Sequence, residues 1–284
     1  MREVSPRNRS VLGENDPREL EALAASVASA SAALIRTNVG SPTGLEAKSS
    51  PTDVVTRTDL DAEELIRRLL AEVTPGAGVL GEEGGQTPMP AGADQGRLQW
   101  VVDPLDGTVN FLYSLPVMAV SVAAALDGEV VAGAVVDVLR NETFSAATGL
   151  GARVDGRRIE TSDCPSLAQA LVLTGFSYRA DIRGRQGNIV QELLPAARDI
   201  RCFGSAALQL CWVGAGRADA YFERDIKVWD YAAGALIARE AGAVTELPCP
   251  ENDDLVIAAT PAVFDELRTV VEHRSSAPRA ETHR

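Results

Sequence analysis

Histidine is nearly absent from the chain: His273 and His283 are the only two in 284 residues, and both lie near the C-terminus. A Ser-His-Asp triad, a phosphohistidine mechanism and a histidine-rich zinc site are therefore disfavoured. If the protein is an enzyme, its chemistry has to use carboxylates, hydroxyls and bound metal.

Paired cysteines and long apolar runs are also missing. The absence of C-x-x-C spacing favours buried free thiols over a metal site or redox pair. The four cysteines are Cys164, Cys202, Cys211 and Cys249. The longest largely apolar run, residues 117–126, is too short to span a membrane, and residues 1–17 contain no apolar stretch typical of a signal peptide. We therefore expect a cytoplasmic protein without a membrane partner.

Basic residues are outnumbered, since 27 Lys and Arg oppose 40 Asp and Glu and give a formal net charge of -13. A chain this acidic repels nucleic acid at long range, so we expect no direct nucleic-acid partner. An anionic substrate would need a local reversal of sign, which bound metal provides. The length allows one large domain or two smaller ones that share a core.

The most informative stretch begins with three apolar residues, 100–102, which predict a buried strand. We expect this strand to end at Asp103-Pro104, because proline disfavours a helical conformation for the residue before it. A short helix is expected to begin at Gly107-Thr108. The two carboxylates of Asp103 and Asp106 therefore precede a helix start, and this combination can hold a hard cation together with an anion. A turn followed by a helix cap is the structural alternative.

Three further acids lie at the predicted ends of elements, where a rigid scaffold can direct them at one point. Asp59 precedes a predicted helix and can serve as its N-cap, Glu82 ends a short strand, and Asp230 opens another helix. A first-turn acid favoured by the helix dipole is the structural alternative for Asp230. If these acids converge with Asp103 and Asp106, the set suits Mg²⁺.

Predicted helices and strands alternate along the chain. A helix is expected over residues 17–37, an irregular loop over 40–51, and a β-hairpin over 117–138 that turns at Asp127-Gly128. Alternating strands and helices follow from residue 170, and the whole indicates a layered α/β (α+β) fold. We expect an N-terminal α+β half over 17–147, a C-terminal α/β half over 148–274, and flexible tails at 1–16 and 275–284.

Five blocks of sequence form an ordered set over roughly residues 20–272. They are Lys48-Ser49-Ser50-Pro51-Thr52-Asp53 with Asp59; Gly81-Glu82-Glu83; Trp100 to Asn110, which matches W-x-x-D-P-[IL]-D-G-T-x-N; Gly204-Ser205-Ala206-Ala207 with Asp219-Ala220-Tyr221-Phe222-Glu223; and Trp229-Asp230-Tyr231-Ala232-Ala233-Gly234. This set resembles the inositol monophosphatase family of Mg²⁺-dependent, lithium-sensitive phosphatases, particularly its actinobacterial branch. The resemblance implies an αβαβα sandwich of the inositol monophosphatase and fructose-1,6-bisphosphatase type, and a homodimer.

The resemblance also implies a role for individual positions. Two or three Mg²⁺ ions per site are implied, with ligands from Glu82, Asp103, the Leu105 carbonyl, Asp106 and Asp230. The residues implied in catalysis, where Asp59 and Thr108 orient the attacking water, are Asp59, Glu82 and Thr108. The substrate contacts implied are Asp106, Gly107, Thr108, Arg201, Ala206, Glu223 and Asp230. Most metal ligands thus fall in the N-terminal half, and the substrate pocket and Asp230 fall in the C-terminal half.

The activity implied is hydrolysis of inositol monophosphate, a small phosphorylated polyol, by in-line attack of a metal-activated water. The same chemistry on histidinol phosphate, fructose 1,6-bisphosphate or an adenosine bisphosphate stays open. So does a regulatory protein that binds a partner and keeps the phosphatase fold. Lys48 is expected to be solvated, since lysines are seldom buried. Residues 176–187 do not match the family pattern cleanly, and no contact is assigned to them.

Overall fold

The computed structural model of the chain describes residues 16–50, 53–87, 98–249 and 254–273. Apart from Asp16, the predicted flexible tails lie outside this part of the chain. The helices in the described residues are α1 (Pro17–Asn38), α2 (Arg57–Val73), α3 (Thr108–Leu112), α4 (Ala180–Leu193), α5 (Ala206–Gly214), α6 (Val228–Glu240) and α7 (Pro261–His273). The strands are β1 (Glu46–Ser50), β2 (Asp53–Val55), β3 (Gly78–Gly81), β4 (Gly85–Gln86), β5 (Leu98–Asp106), β6 (Ala119–Leu126), β7 (Glu129–Asp137), β8 (Thr143–Ala147), β9 (Ala152–Val154), β10 (Arg157–Ile159), β11 (Leu171–Thr174), β12 (Asp199–Cys202), β13 (Ala220–Arg224), β14 (Val244–Glu246) and β15 (Leu255–Ala259).

The strands of the described residues form two large sheets and one small ribbon. Eight strands pair in the order β10-β9-β8-β7-β6-β5-β3-β4, in which β3 is parallel to β5 and antiparallel to β4. Five strands pair in the order β12-β11-β13-β15-β14, in which β11 is parallel to both neighbours. β1 and β2 form a separate antiparallel ribbon.

Helices separate and cover the two large sheets. α1 and α2 pack on one face of the eight-stranded sheet, while α5 and α6 pack on its other face and also contact the five-stranded sheet. α4 and α7 pack on the remaining face of the five-stranded sheet. The resulting α-β-α-β-α order confirms the predicted layered α/β sandwich.

β6 is apolar along nearly its whole length because both of its faces are covered. Val120, Val122 and Ala124 belong to the core beneath α1 and α2, whereas Ala119 and Ala123 belong to the core shared with α5 and α6. A strand in the middle of such a sandwich has no solvent face, so its sequence does not alternate between apolar and polar residues.

β5 corrects the prediction of a strand that ends at Asp103-Pro104, because it continues to Asp106. Asp103 pairs with Ser121 and Asp106 pairs with Ala119, so β5 carries one extra residue between these two pairs. The bulge accommodates Pro104, which has no N–H to donate to a neighbouring strand. Residues three apart normally point to opposite faces of a strand, so the extra residue lets both aspartates face the same side.

Two other segments differ from the prediction. Residues 46–50 form β1, so the loop expected over 40–51 is partly a strand. β9 and β10 follow the predicted boundary between residues 147 and 148, yet both extend the eight-stranded sheet. The division of the chain into halves therefore stays a prediction.

α1 is long and apolar enough, by length and composition alone, to cross a membrane. Its apolar residues, among them Leu20, Ala24 and Val27, are buried against the eight-stranded sheet. A core helix has the same composition, so this property does not identify a membrane span.

The cysteines only partly follow the expectation of buried thiols. All four lie in the described residues and none forms a disulfide. Cys211 is buried, but Cys202 is exposed, and Cys164 and Cys249 are half-buried. The expectation of burial is therefore wrong for three of them.

Candidate active site

Four of the acids selected from the sequence line a single cavity of about 650 Å³. Glu82 follows β3, Asp103 and Asp106 lie at the bulged end of β5, and Asp230 lies in the first turn of α6. Glu223 of β13 lines the same cavity. Both large sheets and the helical layer between them thus contribute side chains to one site.

The N-terminus of α5 holds Asp106. Its Oδ2 accepts hydrogen bonds from Ser205 Oγ at 2.6 Å and from the Ala207 N–H at 2.7 Å, and its Oδ1 accepts one from the Ala206 N–H at 3.3 Å. Asp103 Oδ1 accepts the Leu105 N–H at 3.0 Å. Uncharged donors therefore orient both carboxylates without cancelling their charge.

Asp230 combines the structural role and the site position that its sequence context allowed. Its Oδ2 accepts the Lys227 N–H at 2.6 Å, which closes the first turn of α6. It also lines the cavity with Asp103 and Asp106. The explanation as a first-turn acid is correct and does not exclude a role in the site.

Lys48 of β1 pairs with the acids that follow β3. Its Nζ lies 2.8 Å from Glu82 Oε1 and 2.6 Å from Glu83 Oε1, and its side chain is 21% exposed. Burial lowers the pKa of this ammonium, but the charges and hydrogen bonds of both carboxylates raise it above its ordinary value. Lys48 therefore stays charged in place, and the prediction of a solvated lysine is wrong.

The cavity acids are difficult to ionise together. Burial raises the pKa of Asp103 well above its usual range, and the charges of Glu82, Asp106 and Asp230 raise it further. Burial also raises the pKa of Asp106 to about 6, against the opposing effect of its hydrogen bonds to α5. The pKa of Asp230 is raised well above its ordinary value, again mainly by burial. A cation bound among these carboxylates would offset both their mutual repulsion and the cost of burying their charge, and so favour their ionised forms.

Asp59 and Thr108 meet in a buried hydrogen bond. Thr108 Oγ1 donates to Asp59 Oδ1 at 2.9 Å, across 49 residues of sequence. Asp59 Oδ2 accepts the Thr56 N–H at 2.9 Å and the Thr56 hydroxyl. Since α2 begins at Arg57, Thr56 is its N-cap, and the prediction of Asp59 as N-cap is wrong. Burial raises the pKa of Asp59 despite these three hydrogen bonds.

Gly107 forms a turn between β5 and α3 that other residues would not fit. Its φ is +103°, and a Cβ would lie 3.0 Å from the Val117 carbonyl oxygen and 3.1 Å from that of Gly204. The side-chain amide of Asn110 fixes the neighbouring backbone by donating at 2.7 Å to both the Val117 and the Phe203 carbonyls. The start of α3, where the sequence predicts an anion contact, is thus rigidly placed in the cavity lining.

Glu223 and Ala206 line the part of the cavity that the resemblance assigns to the substrate. Glu223 is 8% exposed and accepts the Tyr221 hydroxyl at 2.8 Å. Burial raises the pKa of Glu223 to about 8. Gly175 leaves the room for this carboxylate, since a Cβ at that position would lie 2.2 Å from Glu223 Oε2.

Arg201 is the one predicted substrate residue that is not among the residues lining this cavity. It lies on β12, where its Nη1 pairs with Asp199 Oδ1 at 2.6 Å and its side chain is 48% exposed. Its substrate contact therefore gains no support from this geometry and stays a prediction. Residues 176–179, to which the sequence assigned no contact, do line the cavity.

The donor set fits Mg²⁺ by its chemistry. Within residues 16–50, 53–87, 98–249 and 254–273, no three Asp, Glu, His or Cys side chains are already arranged as a metal-ligating group. The four cavity acids nevertheless supply oxygen donors, and Leu105, whose carbonyl is the fifth predicted ligand, lines the same cavity. Oxygen donors suit Mg²⁺, whereas zinc prefers the nitrogen and sulfur ligands that this lining lacks at its acidic end.

Comparisons with known proteins agree with this arrangement. The inositol monophosphatase family model matches residues 16–276. Inositol-1-monophosphatase of Mycobacterium leprae is 44% identical over 277 residues, which cover 91% of this chain and 95% of that protein. Nus factor SuhB of Escherichia coli K12 is 40% identical over 213 residues, or 74% of this chain and 78% of that protein. The solved structure of Mycobacterium tuberculosis SuhB has a TM-score of 0.78 and 40% identity, covering 92% of this chain and 98% of that one. Because the family match spans the same five layers whose ends carry the cavity acids, the chain belongs to the inositol monophosphatase family and has a phosphatase fold.

Proposed function

We propose that the protein is a Mg²⁺-dependent phosphomonoesterase that hydrolyses inositol monophosphate to inositol and phosphate. One observation carries the proposal: Glu82, Asp103, Asp106 and Asp230, from distant parts of the chain, line one cavity. Similarity to the mycobacterial inositol-1-monophosphatase supports the choice of substrate.

The cavity oxygens provide the cation sites. Two or three Mg²⁺ ions would be held by Glu82, Asp103, the Leu105 carbonyl, Asp106 and Asp230. When bound, Mg²⁺ would offset the charge of the phosphate and lower the pKa of water, so that no histidine base is needed.

Asp59 and Thr108 would orient the attacking water. Thr108 Oγ1 gives its hydrogen to Asp59 Oδ1, so the hydroxyl oxygen keeps lone pairs that can accept a hydrogen bond from water. The proton released during attack can pass through this hydroxyl to the buried carboxylate. The rigid hydrogen bond between the two residues sets the direction of attack.

The remaining substrate contacts follow from the lining. The backbone N–H groups of Gly107 and Thr108, at the start of α3, would donate to phosphate oxygens. Glu223, when ionised, would accept hydrogen bonds from the hydroxyls of the polyol. Asp106, Ala206 and Asp230 would complete the contacts around the ester.

Other phosphomonoesters are the alternative substrates, since the same chemistry would act on histidinol phosphate, fructose 1,6-bisphosphate or an adenosine bisphosphate. Comparison of kcat/KM across these compounds and inositol 1-phosphate decides among them. We expect the highest value for inositol 1-phosphate, because Glu223 is a buried acceptor suited to hydroxyls.

A regulatory role is the second candidate, favoured by the 40% identity to a Nus factor SuhB. Stoichiometric recovery of a protein partner, together with no turnover of any phosphomonoester, would favour it. We also propose a cytoplasmic homodimer without direct nucleic-acid or membrane partners, and sedimentation equilibrium of the purified chain tests the dimer.

Phosphate release from inositol 1-phosphate with and without Mg²⁺ tests the main proposal. We expect Mg²⁺-dependent turnover that lithium inhibits. Asp103→Asn should lower kcat/KM by roughly 100-fold or more, since it removes a charged ligand. Asp127→Asn is the matched control: it makes the same change on the exposed turn between β6 and β7, at φ +51°, which asparagine tolerates. Full activity of Asp103→Asn, or turnover that is the same with and without Mg²⁺, would contradict the proposal.

A further inference from the structure

The turn between β3 and β4 carries Glu82, and α2 holds this turn from outside the cavity lining. Glu63 of α2 is buried, with 3% exposure. Its Oε2 accepts the Glu83 N–H at 2.8 Å, and its Oε1 accepts the Gly84 N–H at 2.8 Å. One carboxylate therefore fixes two successive backbone N–H groups directly after Glu82.

Arg67, one helical turn further along α2, holds the other side of the turn. Its Nε donates to Glu63 Oε1 at 2.7 Å, and its Nη2 donates to the Gly85 carbonyl at 2.6 Å. Its Nη1 donates to the Thr87 hydroxyl. Together the pair binds N–H and C=O groups of the same turn, and we call it the Glu63–Arg67 clasp.

The glycines of this turn are explained by the clasp. A Cβ at Gly81 would lie 2.6 Å from Glu63 Oε1, and one at Gly84 would lie 2.7 Å from the same atom. Neither glycine adopts a positive φ. Space for the Glu63 carboxylate, rather than backbone conformation, is therefore what requires glycine at both positions.

We propose that Glu63 and Arg67 are positioning residues that fix the Glu82 carboxylate for a divalent cation. The inference rests on the proposed function. Neither residue lines the cavity, so the effect passes through the backbone of residues 83–85. Partners that orient metal-ligating groups in this way typically change metal affinity by roughly 10- to 100-fold when removed.

Glu63→Gln is the first test. The amide nitrogen of glutamine would face one of the two backbone N–H groups, so one hydrogen bond is lost while the side-chain shape is kept. We expect faster hydrogen exchange at the Glu83 and Gly84 amides of the metal-free protein. Calorimetric titration with Mg²⁺ should give roughly 10- to 100-fold weaker binding, and kcat at saturating Mg²⁺ should return near the wild-type value.

Asp61→Asn is the matched control, because Asp61 pairs with Arg57 across the same spacing of four residues on α2 but has a side chain that is 36% exposed. It should leave amide exchange, Mg²⁺ affinity and turnover unchanged. If Glu63→Gln does not fold by circular dichroism, Gly84→Ala takes its place, since its Cβ must push the Glu63 carboxylate away.

The outcomes distinguish the positioning role of the Glu63–Arg67 clasp from the proposed function. Wild-type Mg²⁺ affinity in both Glu63→Gln and Gly84→Ala would overturn the inference and leave the proposed function intact. A wild-type protein that neither binds Mg²⁺ nor hydrolyses any phosphomonoester would overturn the proposed function and, with it, the role assigned to the clasp. Weaker Mg²⁺ binding together with a kcat that stays low at saturating Mg²⁺ would also overturn the inference, because this result would indicate a general loss of structure.

Discussion

Asp103, Asp106 and Asp230 each accept hydrogen bonds from backbone N–H groups, and Asp106 also accepts one from a serine hydroxyl. Such donors fix the direction of a carboxylate but leave its full negative charge in place. Lys48 adds positive charge at Glu82. The three aspartates are therefore arranged to attract a cation rather than to be neutralised by their partners, whereas the Lys48 ammonium partly offsets the charge of Glu82.

At the scale of single residues, a substitution at Gly175 tests the proposed substrate contact of Glu223. Gly175→Ala should displace the Glu223 carboxylate, because the new Cβ would lie 2.2 Å from its Oε2. In assays above pH 8, where Glu223 is ionised, loss of a hydrogen bond to this charged group costs about 1.5–3 kcal/mol, so kcat/KM for inositol 1-phosphate should fall roughly 10- to 100-fold. Steady-state kinetics should place most of the loss in KM, while calorimetry should find Mg²⁺ affinity unchanged.

The control for this substitution is Gly187→Ala on α4, where a Cβ meets no atom within 4 Å. It should leave the kinetics as they are. An unchanged KM in Gly175→Ala would show that Glu223 does not contact the substrate.

Single residues of the site differ in how far sequence could predict them. Glu82 was predictable because an acid at the end of an apolar strand is unusual on a plain surface. Lys48 was not, since nothing in its Gly-, Ser- and Pro-rich surroundings indicates β1, and without that strand its direction is unknown. Arg201 illustrates a different limit of sequence-based prediction. A motif gives the position of a residue along the chain, but it does not show that the side chain forms an ion pair elsewhere, here with Asp199.

At the scale of elements, the bulge in β5 decides the chemistry. A regular strand would direct Asp103 and Asp106 to opposite faces of the sheet, one under α1 and α2 and the other under α5 and α6. Pro104 marks the irregularity in the sequence, but proline is equally compatible with a strand end and with a bulge. Only pairing with β6, where Ser121 and Ala119 set the register, distinguishes the two.

α5 gives a prediction at this scale, because Ser205 both caps the helix and donates to Asp106. Ser205→Ala should lower the free energy of unfolding by about 1–2 kcal/mol, through loss of an N-cap and a buried hydrogen bond. Urea denaturation measures the change. Ser166 precedes the short 3₁₀ helix Leu167–Gln169 as its N-cap but makes no side-chain cap bond, so Ser166→Ala should change stability by less than about 0.5 kcal/mol. Equal effects in the two variants would contradict the role of Ser205.

At the scale of the whole molecule, the five layers bring distant element ends together. The helical and strand patterns predicted most of the elements, and the resemblance predicted how they are layered. The boundary between halves was harder, because β9 and β10 are short strands of three residues each that carry little apolar pattern. Their pairing with β8 continues the first sheet beyond Ala147 and depends on contacts that local sequence does not encode.

The stability of the metal-free molecule should fall as pH rises, and Glu223 allows this to be tested. Burial, with the charges of Asp106 and Asp225, raises its pKa from 4.5 to about 8, against the hydrogen bond from Tyr221. The charged or titratable groups near it are Tyr221, Asp106, Asp225, Asp230 and Cys202. Between pH 4.5 and about pH 8 the unfolded chain has released the proton that the folded chain retains. The free energy of unfolding therefore falls as the pH rises through this range. At about 1.4 kcal/mol per pKa unit, the loss across the window is a few kcal/mol.

Glu223→Gln should remove the part of this dependence that Glu223 contributes, because glutamine has no proton to release. In urea denaturation with a chelator, we expect the variant to match the wild type near pH 5 and to exceed it in unfolding free energy near pH 8, as the linkage requires. Glu160→Gln, which changes an acid with a 75% exposed side chain, is the control and should follow the wild-type curve. Parallel curves for Glu223→Gln and the wild type would mean that Glu223 ionises normally in the fold. Added Mg²⁺ should narrow the difference at the higher pH, because a cation at Asp106 would offset the negative charge that raises the pKa of Glu223.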